Sequence, residues 1–149
     1  MLILNSGFKG DVDTNSKMKA IFIMNFTKLI EWPVDYREGN FVVGVVGNSP
    51  LYTELIKMAK TKKVANQTLE IRKFEAINDI AKCHILYVTR VKPNSTLIIT
   101  AKQGLVDKGS GINFVVKNNR QKFELNKRNV EKKKLKVSAN LEALAFSVK

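Results

Sequence analysis

Phe41-Val-Val-Gly-Val-Val46 is an unbroken apolar run dominated by β-branched residues, and it limits what the chain can become. A run of this length closed by turn residues fits a strand buried on both faces, which needs other elements above and below it. Gly47 and Asn48 then turn the chain, Ser49 has a capping hydroxyl, and Pro50 suits the first position of a helix. The pattern predicts a layered α/β domain.

The remaining elements follow by period and punctuation. Residues 1–13 end in Lys-Gly-Asp-Val-Asp and read as an N-terminal tail; residues 14–149 read as one domain, with no repeat and no linker. A helix capped at Thr14, Asn15 or Ser16 is predicted to run to about Ile30. Its apolar stripe is read through Met18, Ile21, Phe22, Asn25, Leu29 and Trp32, with Phe26 beside it, and Pro33 stops it. Asn25 interrupts that stripe, so it is expected to be a buried amide bonded to backbone, and Asn25→Ala is expected to cost stability. A second helix covers Leu51–Ala59. Strands are read at Thr68–Phe74, alternating and near an edge, at Cys83–Val88, and at Thr96–Ile99, with a short helix at Ala76–Ala81.

A helical turn falls within Lys102–Gly111. Ile112–Val116 and Gln121–Leu125 flank Lys117-Asn-Asn-Arg120, an antiparallel hairpin because Asn tolerates positive φ. Asn126 caps a basic helix over 127–134, Leu135–Val137 makes a last strand, and a helix at Asn140–Ala145 closes the chain. The helix before Pro33 is expected to cover one face of a sheet shared by the valine strand and the hairpin. The fold class is therefore α/β: a single domain with a central mixed, mostly parallel sheet, helices on its faces and a C-terminal antiparallel hairpin.

Chemistry is sparse. The chain has one His and one Cys, adjacent at Cys83-His84, and on a strand their side chains point to opposite faces. They are too few for a zinc site, and neither a P-loop nor a dinucleotide fingerprint is present. No catalytic residue, metal or cofactor is assigned. The turn Gly47, Asn48, Ser49 is a weak anion-site candidate at a helix start, open to a small hydrolase or transferase reading. The net charge of +13 is concentrated in Lys127, Arg128, Lys132, Lys133, Lys134 and Lys136. It reads as a solvated surface, with docking of an acidic partner second; aromatic platforms for nucleic acid are absent. A cytosolic anion- or nucleic-acid-binding module is the alternative that the charge favours. Met1-Leu-Ile-Leu4 is too short for a signal-peptide core, so the chain is either cytosolic or a trimmed mature form.

Three stretches together resemble the YfiR-like family of bacterial periplasmic proteins: Lys19–Pro33 ending in Glu31-Trp32-Pro33, Cys83-His-Ile-Leu86, and Gly111-Ile-Asn-Phe114 through Phe123-Glu-Leu-Asn126 to Leu135-Lys-Val-Ser138. The resemblance spans about residues 17–145. It implies a secreted, non-enzymatic α/β regulator without a cofactor, acting by protein–protein binding. The implied partner is the periplasmic part of a membrane-bound signalling protein such as a diguanylate cyclase, with homodimerisation, no nucleic acid and no membrane span of its own. It makes Asn25, Glu31, Trp32, His84 and Asn126 signature positions, structural before partner-binding. With Cys83 alone, a disulfide within one chain is excluded. The family has a helix between the Cys-His-Ile strand and the next, parallel strand, whereas only Arg90–Ser95 separates them here. Parallel neighbours usually need about a dozen residues of crossover. The expectation is that a helix or loop is omitted between about Val91 and Thr96, preferred over an antiparallel pair joined at Pro93-Asn94.

Overall fold

The computed structural model describes residues 2–76, 82–88 and 96–149, with side chains from Asn15 onward. The order is α1 (Leu2–Leu29), β1 (Ile30–Glu31), β2 (Phe41–Val46), α2 (Pro50–Ala59), β3 (Lys63–Val64), β4 (Gln67–Phe74), β5 (Ile85–Tyr87), β6 (Leu97–Thr100), β7 (Ile112–Lys117), β8 (Arg120–Leu125), α3 (Lys127–Glu131), β9 (Lys136–Val137), α4 (Ala139–Leu144) and β10 (Ser147–Val148). Eight strands form one sheet in the order β10-β8-β7-β6-β5-β2-β4-β3, and β1 pairs with β9 in a separate two-stranded sheet. Strands β4, β2, β5, β6 and β7 are mutually parallel, β3 runs against β4, and β8 runs against β7 with β10 parallel to it.

The valine strand sits inside this sheet, between β4 and β5, as its apolarity on both faces requires. Val43 and Val45 point into the larger core with α1, α2 and α4. Val42 and Val46 join Phe74, Leu86, Val88 and Ile98 on the opposite face. At Gly44 a Cβ would stand 2.8 Å from the Phe74 ring and 2.9 Å from Leu86 Cδ1. Gly44→Ala is therefore expected to cost about 1–3 kcal/mol by overpacking, read as a lower urea midpoint at unchanged slope.

The Asn-Asn hairpin forms as read, with Asn118 and Asn119 at φ 52° and 60°, the primed turn that matches strand twist. Ser49 caps α2 by accepting from the Leu51 amide, and Asn126 caps α3 by accepting from that of Asn129. The hairpin and β2 share one sheet, and α1 covers it: Phe26 packs edge-on to Phe123 at 4.9 Å between centroids, and Phe22 does so at 5.5 Å. Helix α3 ends at Glu131, short of residue 134, because the chain turns there and Lys134 adopts φ 61°. The helix read at 76–81 falls largely outside the described residues.

Three expectations are corrected. Helix α1 begins at Leu2, so residues 2–13 are helical and no cap stands at 14–16. Its buried face is also different: Ser16, Ala20, Ile23, Met24, Phe26, Thr27 and Ile30 are buried, while Met18 and Ile21 are exposed. Asn25 is exposed with them. The buried polar groups on this helix include Thr27, whose hydroxyl donates to Met24 O at 2.7 Å. Asn25→Ala is accordingly expected to leave the unfolding free energy, measured in urea, unchanged to within about 0.5 kcal/mol.

The third correction concerns β5 and β6, which pair in parallel with Ile85 beside Leu97 and Tyr87 beside Ile99, so the antiparallel alternative fails. This register sets Thr96 level with His84, only about 13 Å back along the strand from Val88 at ~3.3 Å per residue. The steps from Val88 to Thr96 reach about 27 Å when extended. A connection too short for a helix is long enough to return, so the geometry does not require an omitted segment. Residues 89–95 themselves lie outside the described residues.

Candidate functional site

Two of the signature residues, Trp32 and His84, converge where α1 hands over to the sheet. After β1, Pro33 holds Trp32 extended, and a 3₁₀ turn over Val34–Tyr36 follows, closed by Tyr36 N–H donating to Pro33 O at 2.9 Å. That turn aims the Tyr36 carbonyl at the imidazole of His84, which stands one residue before β5. His84 Nε2 lies 2.6 Å from Tyr36 O, and Nδ1 accepts from the Val42 amide at 3.0 Å. An acceptor at Nδ1 and a carbonyl at Nε2 fix one tautomer: neutral, with the proton on Nε2.

Aromatic rings seal this arrangement. Phe41 stacks on the imidazole at 4.2 Å, Tyr36 meets it edge-on at 5.3 Å, and Trp32 lies at 6.0 Å. Trp32 is buried, edge-on to Phe41 at 4.9 Å, and its Nε1–H donates to the His84 carbonyl at 3.2 Å. Burial pushes the His84 pKa down, the Tyr36 carbonyl pushes it up, and the Lys82 ammonium pushes it down again, with a net lowering. Protonation would break the bond from Val42, so the ring is a tie between β2, β5 and the 3₁₀ turn. It is not poised to shuttle protons.

The other sequence candidates lie apart from this cluster or at its rim. Glu31 is exposed and accepts from Arg37 at 2.9 Å, with Lys136 across the β1–β9 pair at 3.8 Å. Asn126 bridges α3 and the 3₁₀ turn at 105–108, its amide nitrogen donating to Val106 O at 3.0 Å. Asn25 stands on the outer face of α1. Cys83 is buried, and burial raises its thiol pKa to about 11, so it is neither a thiolate nor the partner of His84.

At the turn Gly47, Asn48, Ser49, one turn amide and two amides of the helix that follows are engaged. Gly47 N–H donates to Phe74 O, Leu51 N–H to Ser49 Oγ and Tyr52 N–H to Ser49 O, while Asn48 Oδ1 accepts from Lys73 at 2.6 Å. A cleft of about 380 Å³ opens beside this turn, lined by Asn48, Ser49, Tyr52 and Lys73. Among the described residues, no group of three or more His, Cys, Asp or Glu is placed to hold a metal ion.

Two clefts were not legible in the sequence. One, of about 330 Å³, lies beside His84 and is floored by the Glu70–Arg72 ion pair at 2.7 Å. The larger, of about 570 Å³, follows β7 between Lys19 of α1 and the 101–107 loop. Each is made by segments far apart in the chain, so no local pattern announces it.

A single α/β domain with a mixed, mostly parallel sheet and its lone imidazole tied into the backbone is the class that fold and site define. The YfiR/HmsC-like family model matches residues 16–145, and the chain belongs to that family. No curated protein matches it. No helix among the described residues is long and apolar enough to cross a membrane.

Proposed function

We propose that this protein is a non-enzymatic periplasmic regulator that binds a membrane-bound signalling enzyme, with a diguanylate cyclase as the first candidate. The observation that carries this reading, beside family membership, is the internal commitment of three of its five signature residues. Both ring nitrogens of His84, the indole N–H of Trp32 and the amide of Asn126 are bonded within the fold. Residues that the family likeness singles out thus serve to hold a shape, as a protein working through its surface needs. Self-association, which the resemblance implies, belongs to the same reading.

The test is cyclic dinucleotide output from membranes of the source cell with the purified protein added. A dose-dependent fall in output supports a regulator of cyclase activity. Unchanged output, with the protein bound to those membranes, would move the proposal to another membrane signalling enzyme. Unchanged output without binding would overturn it.

A further inference from the structure

Strand β7 outlasts its neighbour. β6 pairs with it only as far as Thr100 beside Asn113, whereas β7 continues to Lys117. The hairpin has a two-residue turn, so Lys117 and Arg120 are the hydrogen-bonded pair that closes it. By alternation, Val115 turns its N–H and C=O towards β8, and Val116 turns its own to the opposite edge, where β6 has already ended. Among the described residues, no backbone hydrogen bond joins 101–109 to 114–117.

The cleft of about 570 Å³ runs along this edge, with Phe114 and Val116 on one wall and Gln103 and Asp107 opposite. Val116 is 54% exposed. Gln121, opposite Val116 in the hairpin, lines the same cleft; its Oε1 is a buried polar atom without a partner among the described residues. The charges are uneven. Asp107 is paired with Lys149, and Glu124 accepts from Asn113. The ammonium groups of Lys19 and Lys117 instead meet only the rings of Phe114 and Phe146, at 5.9 and 5.5 Å, with no carboxylate in ion-pair range among the described residues. Burial lowers the Lys19 pKa, as expected of a cation short of a counter-charge.

We propose that the free edge of β7, from the Phe114 carbonyl through Val116, is a docking site for an extended acidic peptide segment, which adds to the sheet as one more strand. The unpaired backbone groups call for another backbone, the cleft gives it room, and the two lysines select carboxylates. The inference deepens the regulatory reading and rests on it for the identity of the protein that carries the segment.

The test is fluorescence polarisation of the full chain with a labelled short peptide of alternating Val and Glu. Saturable binding is expected, with none for a Val/Lys counterpart. In an extended strand the Val amides face one edge and the Glu amides the other. N-methylation of one set should therefore weaken binding about tenfold, while methylation of the other leaves it intact. Val116→Pro removes the edge N–H at a position where an edge strand tolerates proline, and should weaken binding to the same degree at an unchanged melting temperature. Lys19→Glu and Lys117→Glu should each weaken it several-fold. Absence of saturable binding overturns the proposal, and so does equal binding of both methylated peptides. If Val116→Pro does not fold, the methylated pair decides. Failure here together with capture of a membrane signalling enzyme would remove the edge site and leave the regulatory reading standing.

Discussion

Trp32→Ala is expected to lower stability by about 3–5 kcal/mol, the range for removing a large buried aromatic side chain. The indole is 6% exposed, packs edge-on against Phe41 at 4.9 Å and donates from Nε1 to the His84 carbonyl at 3.2 Å. Its neighbours are held by the sheet and by the 3₁₀ turn, so they cannot collapse into the space left behind. Trp32→Phe should lose much less, because the His84 carbonyl keeps its bond from the Leu97 amide at 2.8 Å. Urea unfolding followed by circular dichroism separates the two variants. Equal, small losses would show that the indole is not a core residue.

His84→Ala should cost about 3 kcal/mol for a different reason: it strands the buried Val42 N–H and deprives Phe41 of its stacking partner. The same ring gives stability a pH dependence. Burial holds its native pKa below the ordinary 6.5. Above about 6.5 both native and unfolded rings are neutral and the full contribution is present. As pH falls below that value the unfolded ring takes up a proton that the native ring refuses, and stability is lost. The expected result is a decline from pH 7 to 5 in the parent protein that is shallower in His84→Ala. Parallel curves would mean that His84 is not held neutral.

The sequence disclosed those parts of the fold whose signal is local. Four valines in a row of six, and two adjacent asparagines between alternating runs, each leave one reading, and both elements stand where that reading puts them. Helix α1 differs from its sequence pattern for a physical reason. Met18, Ala20, Ile21, Phe22, Ile23, Met24 and Phe26 put apolar groups on nearly every side, so periodicity does not choose between the stripe through Asn25 and the buried one through Thr27. Gly10 and the aspartates at 11 and 13 suggested a tail, yet the helix carries through them. Strand β10, only two residues long, exists because Phe123, Glu124 and Leu125 offer it a parallel edge.

The site was legible as a list of residues but not as an arrangement. Trp32 and His84 were singled out by resemblance, but they are 52 positions apart, and their contact depends on where β5 settles against β2. Tyr36 and Phe41, which complete the cluster, carry no sequence signal beyond being aromatic. The cleft beside β7 exists because β6 stops at Thr100 while the hairpin continues, a mismatch in strand length visible only once the register is known.

The measurement that bears most directly on the central claim is capture of the protein's partner from the membrane fraction of its own cells. The purified chain would be used as bait at physiological salt, and the bound proteins identified by mass spectrometry. A membrane-anchored signalling enzyme, enriched over a Trp32→Ala control whose fold is compromised, is the result predicted here. Recovery of only nucleic acid or acidic soluble proteins, released together as salt is raised, would show that the charge of +13 governs what the chain binds and would contradict the account.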